Sequence, residues 1–195
     1  MALGLGVPPP AGLVTLVVVG GFTLYAAIAL TLRARSRRLR GPSIRRVGGL
    51  AEQLPYFVWV PYAIVALRLG PELVIPPAVT WSGLALGALG IGLSMWAALT
   101  LGAHFDMEVE VHRGHQVVTA GPYALVRHPV YAGLAVQFIG ASLATGNVLL
   151  ILGTLLMSLP ALWYRARAEE RLLASELPGY ADYQRRVGML VPGLR

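Results

Sequence analysis

The side chains best suited to chemistry fall into two short polar stretches that bracket a long apolar one. The first reads Gly121-Pro122-Tyr123 and then Arg127-His128-Pro129-x-Tyr131; the second reads Arg165-x-Arg167-x-Glu169-Glu170. Between them, Val130 to Tyr164 is thirty-five residues without a charge. One membrane-crossing helix needs roughly 20 residues, so this run suits two compact spans joined by a turn at Thr145-Gly146-Asn147. In such an antiparallel hairpin the two polar stretches meet at the same end. Ionisable groups at a membrane boundary are costly to desolvate alone, and a converging set of both signs with aromatics marks a candidate site. Structural readings stand beside it: Arg127 snorkelling to phosphates, Glu169 pairing with Arg165 at i,i+4, and Pro129 opening a helix.

The elements that position these stretches follow from composition and charge. The chain has 195 residues, of which 56% are hydrophobic and 13% charged, and its mean hydropathy is +0.65. Its solvent is lipid. The net charge of +7 does not point to nucleic acid, because all sixteen basic residues are Arg and most sit directly beside apolar runs. Without Cys, disulfides, thiolate metal sites and a thiol nucleophile are excluded. Leu13 to Leu32 is twenty uncharged residues with no basic residue before it, which predicts a retained first span rather than a cleaved leader. Arg33, Arg35, Arg37, Arg38, Arg40, Arg45 and Arg46 follow and make that end cytoplasmic.

Gln53 to Leu67, with Pro55 and Pro61, predicts a short kinked second span, and Glu72, Pro76 and Pro77 mark an outer turn. Val79 to Leu101 is the third span, with Gly83-x-x-x-Gly87 as a small-residue face. From Gly102 to His128, Met107, Val109 and Val111 alternate with Glu108, Glu110 and His112 ahead of Arg113-Gly114 and Gln116 to Thr119, which predicts a small β-hairpin. Arg165 to Val187, interrupted at Pro178-Gly179, is expected to lie along the membrane surface. With Arg68 alone outside and fifteen arginines inside, the expectation is an all-α integral membrane protein of five transmembrane helices with a cytoplasmic C-terminal helix. It would sit multi-pass in the cell (inner) membrane with its N-terminus outside and its C-terminus and active site cytoplasmic.

The stretch from Val117 to Gly133, together with Arg-Ala-Glu-Glu-Arg-Leu-Leu at Arg167 to Leu173, resembles the isoprenylcysteine carboxyl methyltransferase family. The related membrane phospholipid N-methyltransferases end similarly. The likeness covers His115 to Pro192, including Leu-Pro-Gly-Tyr-x-x-Tyr near Tyr180, and divides the chain into a variable acceptor-side region, 1–101, and a catalytic region, 102–195. It implies an S-adenosylmethionine-dependent methyltransferase whose donor enters from the cytoplasm while a lipophilic acceptor arrives from the bilayer. On this resemblance His115, Val118, Thr119, Gly121, Pro122, Tyr123, His128, Pro129, Tyr131, Glu169 and Glu170 hold the donor. Arg127, Arg167 and Glu170 act in catalysis: the arginines hold an acceptor carboxylate and Glu170 offsets the donor's positive charge. The implied acceptor is the carboxylate of an isoprenylcysteine-like molecule; a phosphatidylethanolamine-type amine is the alternative and would need Glu169, Glu170 or His128 to remove a proton.

Two other classes were weighed. His104, His112, His115 and His128 with Asp106, Glu108 and Glu110 lack a compact ligand spacing, so no metal is expected. A noncatalytic transporter or scaffold would place charged or broken-helix sites near the bilayer midplane, whereas the ionisable residues here gather at one face. Partners are therefore a lipophilic acceptor and membrane lipids, without nucleic acid. Neither oligomeric state nor the acceptor's identity follows from the residues.

Overall fold

The computed structural model describes residues 6–39, 43–46, 59–102, 105–106, 110–112 and 116–194. Helix α1 runs as Ala11–Thr15, a π turn at Leu16–Gly20, and Gly21–Leu39. After strand β1 (Ser43–Arg46) come α2 (Trp59–Ala66) and α3 (Pro77–Leu101), then strand β2 (Glu110–His112) and a 3-10 turn at Gly121–Ala124. Helix α4 is Pro129–Thr145, and α5 runs as Val148–Gly153, a second π turn at Thr154–Ser158, and Leu159–Glu176. A short α6, Tyr180–Arg186, closes the described elements.

Three helices among the described residues are long and apolar enough to cross a membrane: Ala11–Arg38, Pro77–Leu101 and Val148–Glu176. Helix α4 is apolar but has 17 residues, and α2 has eight. Length alone therefore does not reach the expected five spans, since roughly 20 residues are needed to cross. Residues 51–58, where the second span was expected to begin, lie outside the described residues.

The centre of the fold is the α3/α4 pair, and small residues set its spacing. A Cβ added at Gly90 would come 2.5 Å from the Gly133 carbonyl oxygen, and one at Gly140 would come 2.7 Å from that of Gly83. No side chain fits there, so the two backbones touch directly, as the Gly83-x-x-x-Gly87 face predicts. Helix α1 packs on this pair through Phe22 and Tyr25. The Phe22 ring stacks on Tyr62 of α2 at 3.6 Å, and Tyr62 in turn meets Phe138 of α4.

One end of the bundle is tied by backbone. The α4/α5 turn forms at Gly146, whose φ of 62° is left-handed, followed by Asn147, whose Oδ1 accepts from Leu150 N at 2.9 Å and caps α5. Asn147 Nδ2 donates to the Leu69 carbonyl, and Leu73 N donates to that of Gly146, so the segment before α3 lies against this turn.

Three sequence expectations need correction at the other end. Helix α1 continues through Arg33, Arg35, Arg37 and Arg38, so these four belong to a helix rather than a loop; nothing breaks the pattern before Gly41-Pro42. The β-hairpin expected within Gly102–His128 does not form among the described residues. Instead β2 pairs antiparallel with β1, Arg46 opposite Glu110, while residues 116–119 carry no strand. Alternation marks a strand but not its partner. Finally, α5 continues without interruption past Arg165 to Glu176, so the segment expected along the membrane surface starts as a continuation of the last long helix. Only α6 stands apart, after the left-handed Gly179.

Candidate active site

The two polar stretches meet where α4 begins and α5 emerges from its apolar run. His128 precedes Pro129, which keeps it out of the helical region (φ −123°, ψ 64°) and fixes the first turn of α4. Tyr131 follows on that turn, and Arg165, Glu169 and Glu170 face it from α5. The Tyr131 hydroxyl donates to Glu169 Oε2 at 2.7 Å and accepts from Arg165 Nε at 2.8 Å. One phenol thus bridges a carboxylate and a guanidinium that are four residues apart on the neighbouring helix. His128 lies parallel to the Tyr131 ring, 5.6 Å between centroids, with Nδ1 3.9 Å from Glu169 and Nε2 3.5 Å from Glu170.

Arg127 is buried and its guanidinium is committed to the protein. Nε donates to Glu170 Oε1 at 2.5 Å, and Nη1 donates to the carbonyls of Gln184 (3.0 Å) and Val187. Its backbone N–H donates to Gly188 O and that of His128 to Met189 O, so residues 184–189 are laid against 126–128. Beside this seam, Tyr183 donates its hydroxyl to the Tyr123 carbonyl at 2.6 Å. Burial pushes the Tyr183 hydroxyl up to about 12 despite the opposing field of Arg127, which keeps it a donor. Burial also raises Tyr180, with the charges of Glu169 and Glu170 adding to the effect, so it keeps its proton as well.

Among the described residues the buried Tyr180 hydroxyl has no hydrogen-bond partner, and the buried His128 Nε2 has only the long 3.5 Å approach to Glu170 Oε1. A buried polar group left unpaired costs about 1–3 kcal/mol, so the Tyr180 hydroxyl and a loosely held imidazole beside two carboxylates mark a place for a polar ligand. Glu169 is the carboxylate open to such a ligand, its side chain 31% exposed against 7% for Glu170.

The expected residues divide accordingly. His128, Pro129, Tyr131, Glu169 and Glu170 come together, with Pro122 and Tyr123 buried behind them. Gly121, at φ +57°, turns the chain against Thr100 of α3. Val118 is half-buried and Thr119 exposed on the approach, and His115 lies outside the described residues. Arg127 pairs with Glu170 and backbone carbonyls rather than facing outward for an acceptor. Arg167 is exposed, its guanidinium 5.3 Å above the Trp163 ring. Sequence reasoning placed Arg165 in the second polar stretch, with Glu169 as its i,i+4 partner, but gave it no part in holding donor or acceptor, and gave Tyr180 none as a polar group. Tyr25 carried no signal; it is buried on α1 and within electrostatic reach of Arg165.

Residues 83–175 match the family model described as the isoprenylcysteine carboxyl methyltransferase (ICMT) family. The chain is 36% identical over 113 residues to a protein-S-isoprenylcysteine O-methyltransferase of Tribolium castaneum, covering 56% of this chain and 40% of that protein. A protein of the same name from Schizosaccharomyces pombe is 36% identical over 117 residues, covering 55% and 48%. A cobalt-zinc-cadmium resistance protein of Cupriavidus metallidurans is 34% identical over 117 residues, covering 57% of this chain and 50% of that protein. The chain spans about half the length of these relatives.

Proposed function

From the premise that this chain, through residues 83–175, belongs to the isoprenylcysteine carboxyl methyltransferase family, we propose that it is an integral-membrane methyltransferase. On this reading it moves a methyl group from S-adenosylmethionine to the carboxylate of a lipophilic acceptor. The observation that carries the donor assignment is a buried, under-satisfied pair beside Glu169 and Glu170: Tyr180 Oη without a partner among the described residues and His128 Nε2 with only a 3.5 Å approach to Glu170. A donor with a carboxylate, an ammonium, a sulfonium and an adenine requires acceptors, donors and a flat ring together, and this set offers all three. Glu169 and Glu170 would face its positive groups, His128 and Tyr180 its polar edges, and the stacked His128 and Tyr131 rings its flat surface.

When bound, the donor supplies an already activated methyl group, so the protein's task is alignment and exclusion of water. Tyr131 locks Glu169 and Arg165 in one orientation, and Arg127 holds Glu170 while closing residues 184–189 over the cluster. Arg165, buried and aimed into the bundle from α5, replaces Arg127 and Arg167 as the cation nearest a lipophilic acceptor. Two arginines and two glutamates balance in this site, and the donor brings one net positive charge. An ionised carboxylate acceptor offsets that charge and needs no base, whereas an amine acceptor reaches its nucleophilic form only by losing a proton. That difference favours the carboxylate over a phosphatidylethanolamine-type amine.

Five spans, with the N-terminus outside and this site cytoplasmic in the cell membrane, complete the proposal. Support comes from the arginines of the α1 end, where Arg33 Nε approaches Asp106 at 3.7 Å and Ser36 donates to Phe105 O. The test offers a prenylcysteine, a phosphatidylethanolamine and total membrane lipid side by side to the full chain with labelled donor. Label in a base-labile ester of the prenylcysteine is expected; label confined to the amine lipid, or no transfer, contradicts the reading.

A further inference from the structure

Helix α1 carries arginines of two kinds beyond its apolar run. From Gly21 to Leu39 the helix is regular, so its faces follow at about 100° per residue. Arg33 and Ser36 fall on the inward face, where Arg33 Nε approaches Asp106 at 3.7 Å and Ser36 donates to the Phe105 carbonyl. Arg35 and Arg38 fall on the outward face. Both are exposed, and no carboxylate among the described residues pairs with either. Residues three apart on a helix stand roughly 5–6 Å from each other at Cβ, so both guanidiniums reach one phosphate.

The same face leads to a seat for a hydrocarbon chain. Between α1 and α3 lies an apolar groove of ≈ 430 Å³, lined by Gly20, Gly21 and Leu24 of α1 and Ala88 and Ile91 of α3 among others. The glycines open it by placing no side chain where α1 passes α3; a Cβ added at Gly21 would already meet Ile91 Cγ1 at 3.8 Å. Left empty, such a groove forfeits the contacts of its walls, so a lipid tail fills it. Leu24, Ile28, Thr31, Arg35 and Arg38 form one stripe about 80° wide along α1. Thr31 turns its hydroxyl back to the Ala27 carbonyl at 2.7 Å, which leaves the stripe apolar up to the arginines. Arg35 lies eleven residues past Leu24, a rise of roughly 16 Å, and one leaflet of the hydrocarbon core is about 15 Å deep.

We propose that this face of α1, with the α1/α3 groove, binds an anionic phospholipid: Arg35 and Arg38 hold its phosphate, and the groove takes one acyl chain. Charge and depth together define the ligand. A zwitterionic lipid fits the groove equally well but brings an ammonium to the arginines. Each arginine near the surface favours an anionic headgroup about fivefold, and the pair roughly thirtyfold. The inference rests on α1 as a membrane-crossing helix and not on the methyltransferase reading.

The test places the purified full chain in phosphatidylcholine nanodiscs with a trace of phosphatidylglycerol that carries a photoreactive group near the end of one acyl chain. Labelled peptides are mapped by mass spectrometry. Label is expected on residues 16–24 and 88–91. It should exceed that from a phosphatidylcholine probe with the same chain roughly thirtyfold. The double variant Arg35→Gln/Arg38→Gln should bring the two probes level there, each single variant leaving about a fivefold preference. Ala88→Phe fills the groove and should remove the label from those residues. All three positions are exposed, and an unchanged unfolding temperature in detergent reports that the variants fold. Equal labelling by both probes in the wild-type chain overturns the proposal. So does a preference that survives the double variant, or label that Ala88→Phe leaves in place. Residues that neither probe reaches, in a chain that runs as a dimer, would give the groove to a second copy and overturn it as well.

Discussion

Replacing Arg127 by Met tests whether this residue is a clamp or a ligand-binding group. Its guanidinium makes three hydrogen bonds, to Glu170 Oε1, Gln184 O and Val187 O, in a residue 8% exposed. Removing it strands the Glu170 carboxylate, which among the described residues keeps only His128 at 3.5 Å, and releases two carbonyls of the C-terminal segment. Breaking one partner of a buried pair costs about 3–5 kcal/mol. At about 2–4 °C per kcal/mol for a chain of this size, unfolding in detergent should shift down by roughly 10 °C. The companion Arg127→Met/Glu170→Met double variant removes the stranded charge and should recover a substantial part of that loss. Trypsin cleavage after Arg185 and Arg186, timed on the folded protein, reads the clamp directly and should accelerate in both variants. An Arg127→Met chain with unchanged unfolding and a protected C-terminal segment would refute the argument.

Four further outcomes follow from the same geometry. Tyr131→Phe keeps the ring on His128 but unlinks Glu169 from Arg165; turnover should fall about 10- to 100-fold, from a loss of about 1–3 kcal/mol, with little change in unfolding temperature. Arg167→Ala removes an exposed cation–π contact worth about 0.5–1 kcal/mol and should leave turnover within about twofold, measured by initial rates. Gly90→Ala forces α3 off α4 and should destabilise the chain by about 1–3 kcal/mol, read by thermal unfolding. With a prenylcysteine acceptor the pH–rate profile should stay flat on acidification down to the range where carboxyls protonate, below about pH 5; an amine acceptor would lose rate far earlier, as its nucleophilic form disappears.

Much of the site was legible because its parts are local. Arg-His-Pro-x-Tyr fixes a helix start, and a charge-free run of thirty-five residues that turns at Gly146 must return to that start. What the residues could not say is which neighbour each polar group chooses. Arg127 and Arg165 look alike in sequence, yet one faces backbone carbonyls of residues 184 and 187 and the other a phenol on α4. Strand β2 was legible by alternation, but its partner comes from residues 43–46, a pairing that no local pattern carries. Gln137 offered a signal that went unread: an amide in an otherwise apolar stretch of a membrane helix needs a partner, and the π turn of α1 supplied one.

Every role proposed for these residues requires that the α4/α5 junction hold the donor. Binding of labelled S-adenosylmethionine to the purified full chain, compared with His128→Ala and Glu169→Gln, measures that without reference to any acceptor. Micromolar affinity in the wild-type chain that weakens at least about tenfold in each variant, a loss of about 1.4 kcal/mol or more, is the predicted result. Absence of binding, or binding that neither substitution alters, would contradict it.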